Sequence, residues 1–512
     1  MSNTLLLKYV PPLLFVFAIS TLSGQVQYDY QWLMGIGPNE PLSQEGGVLI
    51  DFHQGFNASY RNLPSMGRSN AFTNICDFEG NLMFYTNNCG ILNFQDEIVE
   101  EGFGLNAPGA DFDAYCGVFP AGGGYNTRSS FILPIPGSNS KYVIFHLRYD
   151  FPTTPEYFYH VESFLYTIVD MNALNGHGSV IEKNILIVKD TLCDMLTAVR
   201  HGNGRDWWVI CPQFNSNQVF LCLLTPDGVE GPYTRTTPLF WPGELDDFWW
   251  EQAVFSPDGR SYARINNQNG IQVFNFDRCS GEFNNPLQLY LPVEDASTSG
   301  VAISPNSQFL YADNGYKVYQ FDLEADNVQN SRILIAEYDG HMAPLWTTFN
   351  MMQLAPDNKI YINSTNSVYK LHVIHNPNEN GVNCNLEQHG VELPVKVGLC
   401  MPNFPYFPLF SDVDSPCDTL NPSSLSNITL SKTDIFYLAP NPASQFVSIH
   451  STTEISDFDL EWYNNIGQLV LTVNLANDKE SIDTSMLPKG SYIVVMKKNN
   501  IVYSNARCII SY

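Results

Sequence analysis

Positive charge is scarce in this 512-residue sequence: 25 Lys and Arg stand against 52 Asp and Glu, a formal net charge of −27 at pH 7. Such a field repels phosphate backbones and anionic headgroups, which argues against nucleic acid as a partner. Charged residues of both signs make up only 15% of the chain, and the acidity reads as solubility outside the cell rather than as a binding patch. Also missing are the G-x-S-x-G, H-E-x-x-H and phosphate-loop patterns, and no C-x-x-C occurs. No catalytic residue, metal site or cofactor site is assigned. Beyond the N-terminal segment, no run is long and apolar enough to span a membrane, so no membrane-spanning segment is expected in the mature chain.

What the sequence does have is 44% hydrophobic residues, with 33 Phe, 27 Tyr, 35 Gly and 32 Pro, a mixture that favours strands and turns. Its length exceeds what one hydrophobic core supports, which predicts several domains or a repeat. The N-terminus carries Lys8, an apolar core from Leu13 to Ile19, and small or polar residues to Gly24. This is a signal-peptide pattern with cleavage expected between Gly24 and Gln25; Pro11, Pro12 and the short core argue against a membrane anchor.

Eleven cysteines in an exported chain leave at least one unpaired. The best candidate disulfide is Cys211 with Cys222, placed symmetrically about Ser216 and Asn217 as in an antiparallel hairpin; two buried thiols side by side are the alternative.

Aligning short strands on their turns exposes a repeat. The clearest units start at Glu251, Gly300 and Asn350 and turn at SPDG (256–259), SPNS (304–307) and APDN (355–358). Pro presets the first corner and Asp or Asn takes the second; Gly259 and Asn358 suit a left-handed last position and Ser307 suits it less. Pro257, Pro305 and Pro356 are 48 and 51 residues apart, the period of a four-stranded propeller blade. Looser units from Ala71, Arg128 and Leu196 make six, and a seventh is completed if GGVLIDF (46–52) joins the chain after MPNFPYF. The prediction is an all-β chain: a β-propeller of six or seven blades, seven preferred, over 25–411, a Ser/Asp/Asn/Pro-rich linker over 412–434, and a small β-sandwich over 435–512. In that sandwich Val447 and Ile449, Leu460 and Trp462, Leu469, Leu471 and Val473, and Ile493 and Val495 each mark one strand face.

The C-terminal segment resembles the type A sorting domain of the Bacteroidetes type IX secretion system. The residues that carry the resemblance are Pro440-Asn441-Pro442-Ala443, then Ile466-Gly467-Gln468-Leu469-Val470, then Ile482-Asp483-Thr484-Ser485 with Leu487, Gly490 and Tyr492, in that order over about 75 residues. The resemblance implies recognition by an outer-membrane translocon, usual removal on export, and delivery through the periplasm to the cell surface or medium. The ending Ala506 to Tyr512 departs from the Lys-containing endings common in that family. The propeller region is similar to uncharacterised regions that precede such domains and imports no catalytic residue.

Possible chemistry was weighed residue by residue. His372 and His375, three apart on a strand, point to opposite faces, which disfavours a shared metal. His201 and Asp206 flank the Gly204 turn, and Asp258 and Asp357 sit in equivalent tight turns, so backbone geometry accounts for them. DVDSPCD, from Asp412, lacks the central Gly and distal Glu of a calcium loop. Trp207 with Trp208 and Trp249 with Trp250 are adjacent pairs; one of each is expected in the core, and the other either packs between blades or stacks on a sugar or peptide. Three functions remain open: a binding module for a protein or carbohydrate ligand, a hydrolase or lyase with residues gathered in the propeller channel, and a structural surface component.

Overall fold

The computed structural model describes residues 26–36, 46–63, 72–109, 112–117, 129–150, 160–243, 251–266, 268–292, 299–398, 401–412, 417, 436–440, 443–451, 458–464, 469–475, 481–498 and 501–510. The signal segment, with Gly24 and Gln25, lies outside them, as do Trp249 and Trp250. Residues 26–428 form one compact unit, and the C-terminal segment from Thr429 belongs to another.

The first unit is a β-propeller whose strands fall into seven antiparallel groups, taken here as blades in chain order. Blade 1 has three strands, Gln31–Ile36, Gly46–Asp51 and Asn57–Arg61. The others have four each. Blade 2 is Thr73–Cys76, Leu82–Thr86, Gly90–Asn93 and Ile98–Phe103. Blade 3 is Ser130–Pro134, Lys141–Asp150, His160–Asp170 and Ser179–Leu192. Blade 4 is Thr197–Arg200, Trp207–Pro212, Ser216–Thr225 and Gly228–Trp241. Blade 5 is Gln252–Phe255, Ser261–Asn266, Gly270–Asp277 and Glu282–Leu289. Blade 6 is Val301–Ile303, Phe309–Asp313, Lys317–Asp322 and Ile333–Glu337. Blade 7 is Met352–Leu354, Ile360–Ile362, Val368–Ile374 and Leu386–Val397. The outer strands of blades 2 and 3 meet through Glu100 and Ser179, joining the two into one eight-stranded sheet.

The tight turns repeat because the same local bonds repeat. The N–H of the fourth turn residue donates to the carbonyl of the first in Asp77–Gly80, His201–Gly204, Ser256–Gly259, Ser304–Ser307 and Ala355–Asn358. Gly80, Gly204, Gly259, Ser307 and Asn358 all have positive φ, between 62° and 91°. Ser307 takes this conformation without being glycine, and its hydroxyl accepts the Asp258 N–H of blade 5 at 3.1 Å.

At the centre the first strands converge. The buried Gln252 carboxamide accepts the N–H groups of Val301 and Met352, each at 3.1 Å, and donates to the Met352 carbonyl at 2.6 Å, lacing blades 5, 6 and 7. The seventh blade closes differently from the sequence expectation. Gly46–Asp51 pairs with Gln31–Ile36 and Asn57–Arg61, not with the chain after Met401. Residues 401–407 instead pack by side chains: Phe404 stacks on Trp32, Phe407 meets Tyr28 and Trp207, and Asn403 donates to the Leu196 carbonyl. Touching blades 1 and 4, this segment lies at the middle of the ring.

The C-terminal unit has two sheets. One holds Phe436–Ala439, Phe446–Ser451 and Ser481–Asp483; the other orders Leu469–Leu475, Phe458–Tyr463, Gly490–Lys498 and Ile501–Ile510. Val447, Ile449, Leu460 and Trp462 fill its core as expected. In Gly490–Lys498 the core face is Tyr492, Val494 and Met496, while Ile493 is exposed, so the expected Ile493 phase is off by one residue. Both faces of that strand are apolar, and alternation alone does not choose between them.

Blades 1 and 2 are clasped by His53. Its Nδ1 lies 2.9 Å from Asp51 Oδ1 and its Nε2 lies 3.0 Å from the Glu79 carbonyl, so both bonds form fully only on the imidazolium. The Glu79 carbonyl, and then Asp51, hold its pKa above the ordinary value. A raised pKa stabilises the fold at low pH and the gain disappears as pH rises through the folded value. His53→Gln is expected to lower the thermal midpoint more at pH 6 than at pH 9, measured by calorimetry. Gln252→Leu, which strands the Val301 and Met352 backbone groups, is expected to destabilise by about 2–4 kcal/mol in urea unfolding, against less than about 0.5 kcal/mol for exposed Glu324→Ala.

Candidate functional site

Antiparallel connectivity gives the ring two unlike faces. In blades 2 to 7 the turns between first and second strands lie on one face, called here the turn face. The turns between second and third strands, and the connections from one blade to the next, lie on the other, the joining face.

The turn face is occupied by structure. Asp258 accepts the Arg260 N–H at 3.0 Å, and Asp357 accepts the Lys359 N–H at 3.2 Å and the Tyr361 hydroxyl at 2.9 Å, so these carboxylates serve their turns. His201 and Asp206 do likewise: His201 Nδ1 accepts the Asn203 N–H, and Asp206 accepts from Asn203 Nδ2 and from Arg205. Across blades 4 and 5 runs a strap made of residues 407–412 and Cys417. Arg278 donates to the carbonyls of Arg200, His201 and Phe410 and pairs with Asp412 at 3.2 Å. A Cβ on Gly202 would lie 2.5 Å from Cys417 Sγ, and one on Gly259 would lie 2.6 Å from Leu409, so glycine lets the strap sit down on the ring. A disulfide between Cys279 and Cys417 pins it within the stretch expected to be linker.

The other disulfide joins Cys89 to Cys116. Cys211 and Cys222, the pair favoured by sequence, are buried free thiols. The hairpin is centred on Asn215 and Ser216, with Asn215 at φ 47°, one residue earlier than expected. Pairing therefore shifts by two, setting Cys211 opposite Phe220 and Cys222 opposite Val209. Diagonal neighbours on a strand pair are about 7–8 Å apart, beyond the reach of a disulfide. Trp207 and Trp208 are both buried, on opposite faces of their strand and in different core clusters, so neither offers an exposed ring.

On the joining face a polar residue recurs after the second strand or at its end: Asn87, Asn266, Asp313 and Asn363 in blades 2, 5, 6 and 7, all buried. Three of them cap the following turn, Asn87 accepting the Cys89 and Gly90 N–H groups, Asn266 the Asn269 N–H, and Asp313 the Gly315 N–H. Glu251 accepts from Trp241 Nε1 at 3.2 Å and Asn266 Nδ2 at 3.1 Å, and burial pushes its carboxyl up to about 7. Burial likewise raises Asp313. Both carboxyls are buried, Asp313 capping its turn and Glu251 bonded to the Trp241 and Asn266 side chains.

One joining-face connection behaves differently. Between blades 6 and 7, residues 338–347 form a small loop whose Met342, Leu345 and Trp346 are 54%, 46% and 56% exposed. The loop is nevertheless well held. Met342 bridges to Trp346, Ala343 N–H donates to the Leu345 carbonyl, Tyr369 N–H to the Ala343 carbonyl, and Asn366 Nδ2 to the Trp346 carbonyl. His341 and Asp339 of the loop contact His389 of blade 7. Sequence reasoning missed this loop because it looked for adjacent tryptophans and linear motifs. The available signal was an apolar Met-Ala-Pro-Leu-Trp run, between Asp-Gly and Thr-Thr, that follows no strand period. His372 and His375 do diverge: His372 is buried, and His375 pairs with Glu387 at 2.8 Å. Among the described residues no three His, Cys, Asp or Glu are arranged to hold a metal ion.

In the C-terminal unit the motif residues punctuate strands. Pro440 follows the first strand, Asp483 accepts the Ser485 N–H at 2.9 Å, Leu487 is buried, Gly490 opens its strand, and the Tyr492 hydroxyl donates to the Pro488 carbonyl at 2.6 Å. Asn441, Pro442, Gly467 and Gln468 lie outside the described residues.

Residues 437–511 match the family described as a secretion system C-terminal sorting domain. That segment is a type IX sorting domain, and the chain is a protein secreted to the cell surface or exterior. No curated protein matches the chain. Similar solved structures include a protein from Lactobacillus plantarum (12% identity, TM-score 0.42, 73% of this chain and 98% of that one) and the Dos1 propeller (14%, 0.35, 75% and 95%). Another is PorZ, a surface component of the type IX secretion system of Porphyromonas gingivalis (11%, 0.28, 91% and 68%). These distant likenesses carry nothing about activity. Among the described residues no helix is long and apolar enough to cross a membrane. Deleting residues 435–512 is expected to leave the protein in the periplasm, read by fractionation and surface labelling; undiminished surface delivery would contradict the sorting role.

Proposed function

We propose that the exported ring is a binding module for a protein or carbohydrate ligand, engaged on the joining face by the loop at 338–347. The observation that supports this most is the exposure of Met342, Leu345 and Trp346 on a loop held by several hydrogen bonds. A preorganised apolar contact loses little entropy on binding, and rigid tryptophans are favoured anchors. The turn face is less suited, since the strap covers blades 4 and 5 there. The hydrolase or lyase alternative needs accessible carboxylates, and Glu251 and Asp313 are buried and bonded into turns.

The test places a photo-crosslinking amino acid at position 345 of the full chain on intact cells, with position 227, an exposed turn residue on the opposite face, as control. Discrete adducts are expected from 345 and not from 227, and Trp346→Ala is expected to cut their yield roughly tenfold or more. Equal adducts from both positions, or none from 345, would reject the assignment of the face.

A further inference from the structure

The polar groups of the loop at 338–347 are largely spent on the loop itself and on its neighbours. The His341 carbonyl accepts the Thr347 hydroxyl at 3.0 Å and the Tyr338 hydroxyl at 2.5 Å, and the Ala343 carbonyl accepts the Tyr369 N–H at 3.3 Å. The Leu345 carbonyl takes the Ala343 N–H at 2.9 Å, and the Trp346 carbonyl takes Asn366 Nδ2 at 2.8 Å. The hydroxyls of Thr348 and Thr365 bond each other at 2.8 Å, and the His341 ring stacks on His389 with centroids 4.3 Å apart. What the tip presents outward is apolar: Met342, Leu345 and the Trp346 ring, each about half exposed.

The charges around the tip are balanced. On the outer two strands of blades 6 and 7, Lys317 pairs with Glu337 at 3.7 Å, Lys370 pairs with Glu392, and the Lys396 ammonium lies 6.0 Å from the centre of the Tyr369 ring. Lys317 opens its strand and Glu337 closes its own, so both stand at the joining face. Histidines apart, Lys317, Lys370 and Lys396 cancel Glu337, Asp339 and Glu392. In a chain whose net charge is −27, the tip therefore sits in a patch with almost no charge of its own.

An apolar centre of tryptophan, methionine and leucine inside a rim of paired charges has the anatomy of a protein–protein contact. A glycan asks for something else, since each hydroxyl that leaves water must find a polar group placed to receive it. Here most such groups are engaged, and Met342 and Leu345 give a sugar neither an aromatic face nor a hydrogen bond. A second copy of this chain is disfavoured as well, because it brings the same charge of −27. We infer that the tip docks into an apolar groove of a different protein, with burial of Met342, Leu345 and Trp346 supplying the affinity and charge contributing little. This rests on the reading of the tip as the contact surface and narrows its partner to one class.

The test identifies what the crosslinker at position 345 of the full chain captures on intact cells. Irradiation is carried out in about 50 mM and about 500 mM NaCl, with osmolarity balanced by sucrose, a range over which screening between exposed charges changes severalfold. Mass spectrometry of the tryptic fragment that holds position 345 is expected to find it joined to a peptide of one other protein, the same at both salts, in yields that agree within about twofold. Met342→Ser, which removes apolar area and leaves the backbone bonds, is expected to cut the yield roughly fivefold or more. The double variant Lys317→Gln and Glu337→Gln is expected to leave it within about twofold. A glycan or lipid on that fragment, a peptide of this same chain, a severalfold loss at high salt or in the charge variant, or a yield unmoved by Met342→Ser would overturn the inference while the face stands as a contact surface. Absence of any adduct would instead reject the face, and the inference with it.

Discussion

Everything in this ring depends on satisfying the backbone at its centre. Seven sheets converge there with short first strands, and polar groups at that depth are cut off from water, each costing about 1–3 kcal/mol if left unpaired. The Gln252 carboxamide answers this for three blades at once, bonding the backbone of Val301 and Met352 from its own strand in blade 5. In residues 401–407, Asn403 bonds the Leu196 carbonyl, and the rings of Phe404 and Phe407 pack on blades 1 and 4. Among the described residues blade 1 has three strands, and the returning segment meets it by side chains, Phe404 on Trp32 and Phe407 on Tyr28, not as a fourth strand.

That closure also divides the surface. Having crossed the centre, the chain must leave on the turn face, and it does so as a strap held by Arg278 and by the Cys279–Cys417 disulfide. The turn face at blades 4 and 5 is thereby spent on structure. The joining face keeps its inter-blade connections, and among the described residues the loop at 338–347 carries Met342, Leu345 and Trp346 exposed on a backbone held by several hydrogen bonds. The sorting domain is a small sandwich with its own core, and none of its motif residues belongs to the propeller unit.

The parts that were legible in the sequence are those set by local bonds. The SPDG, SPNS and APDN turns could be read because Pro, Asp or Asn and a left-handed fourth residue are fixed by neighbours within five positions. The outermost strands of blades 6 and 7, Ile333–Glu337 and Leu386–Val397, were not, because they are half exposed and carry no sharp alternation. Cys211 and Cys222 show how small a local error need be: one residue in the turn centre moves the pairing by two and turns a candidate disulfide into two thiols. Ile493 shows the same limit, since a strand apolar on both faces does not declare which one is inside.

By itself, then, the sequence determined that the chain is all-β, that its sheets repeat every fifty or so residues, and that it ends in a sorting domain, because strand period, turn chemistry and motif order are properties of short segments. Only the tertiary structure decided which cysteines pair, how the ring closes, which face is covered, and that His341, His372 and His389 meet. Those outcomes join residues at least 17 positions apart, 138 for Cys279 with Cys417 and 207 for Leu196 with Asn403, and at such separations it is the packing of blades, not local propensity, that brings side chains together.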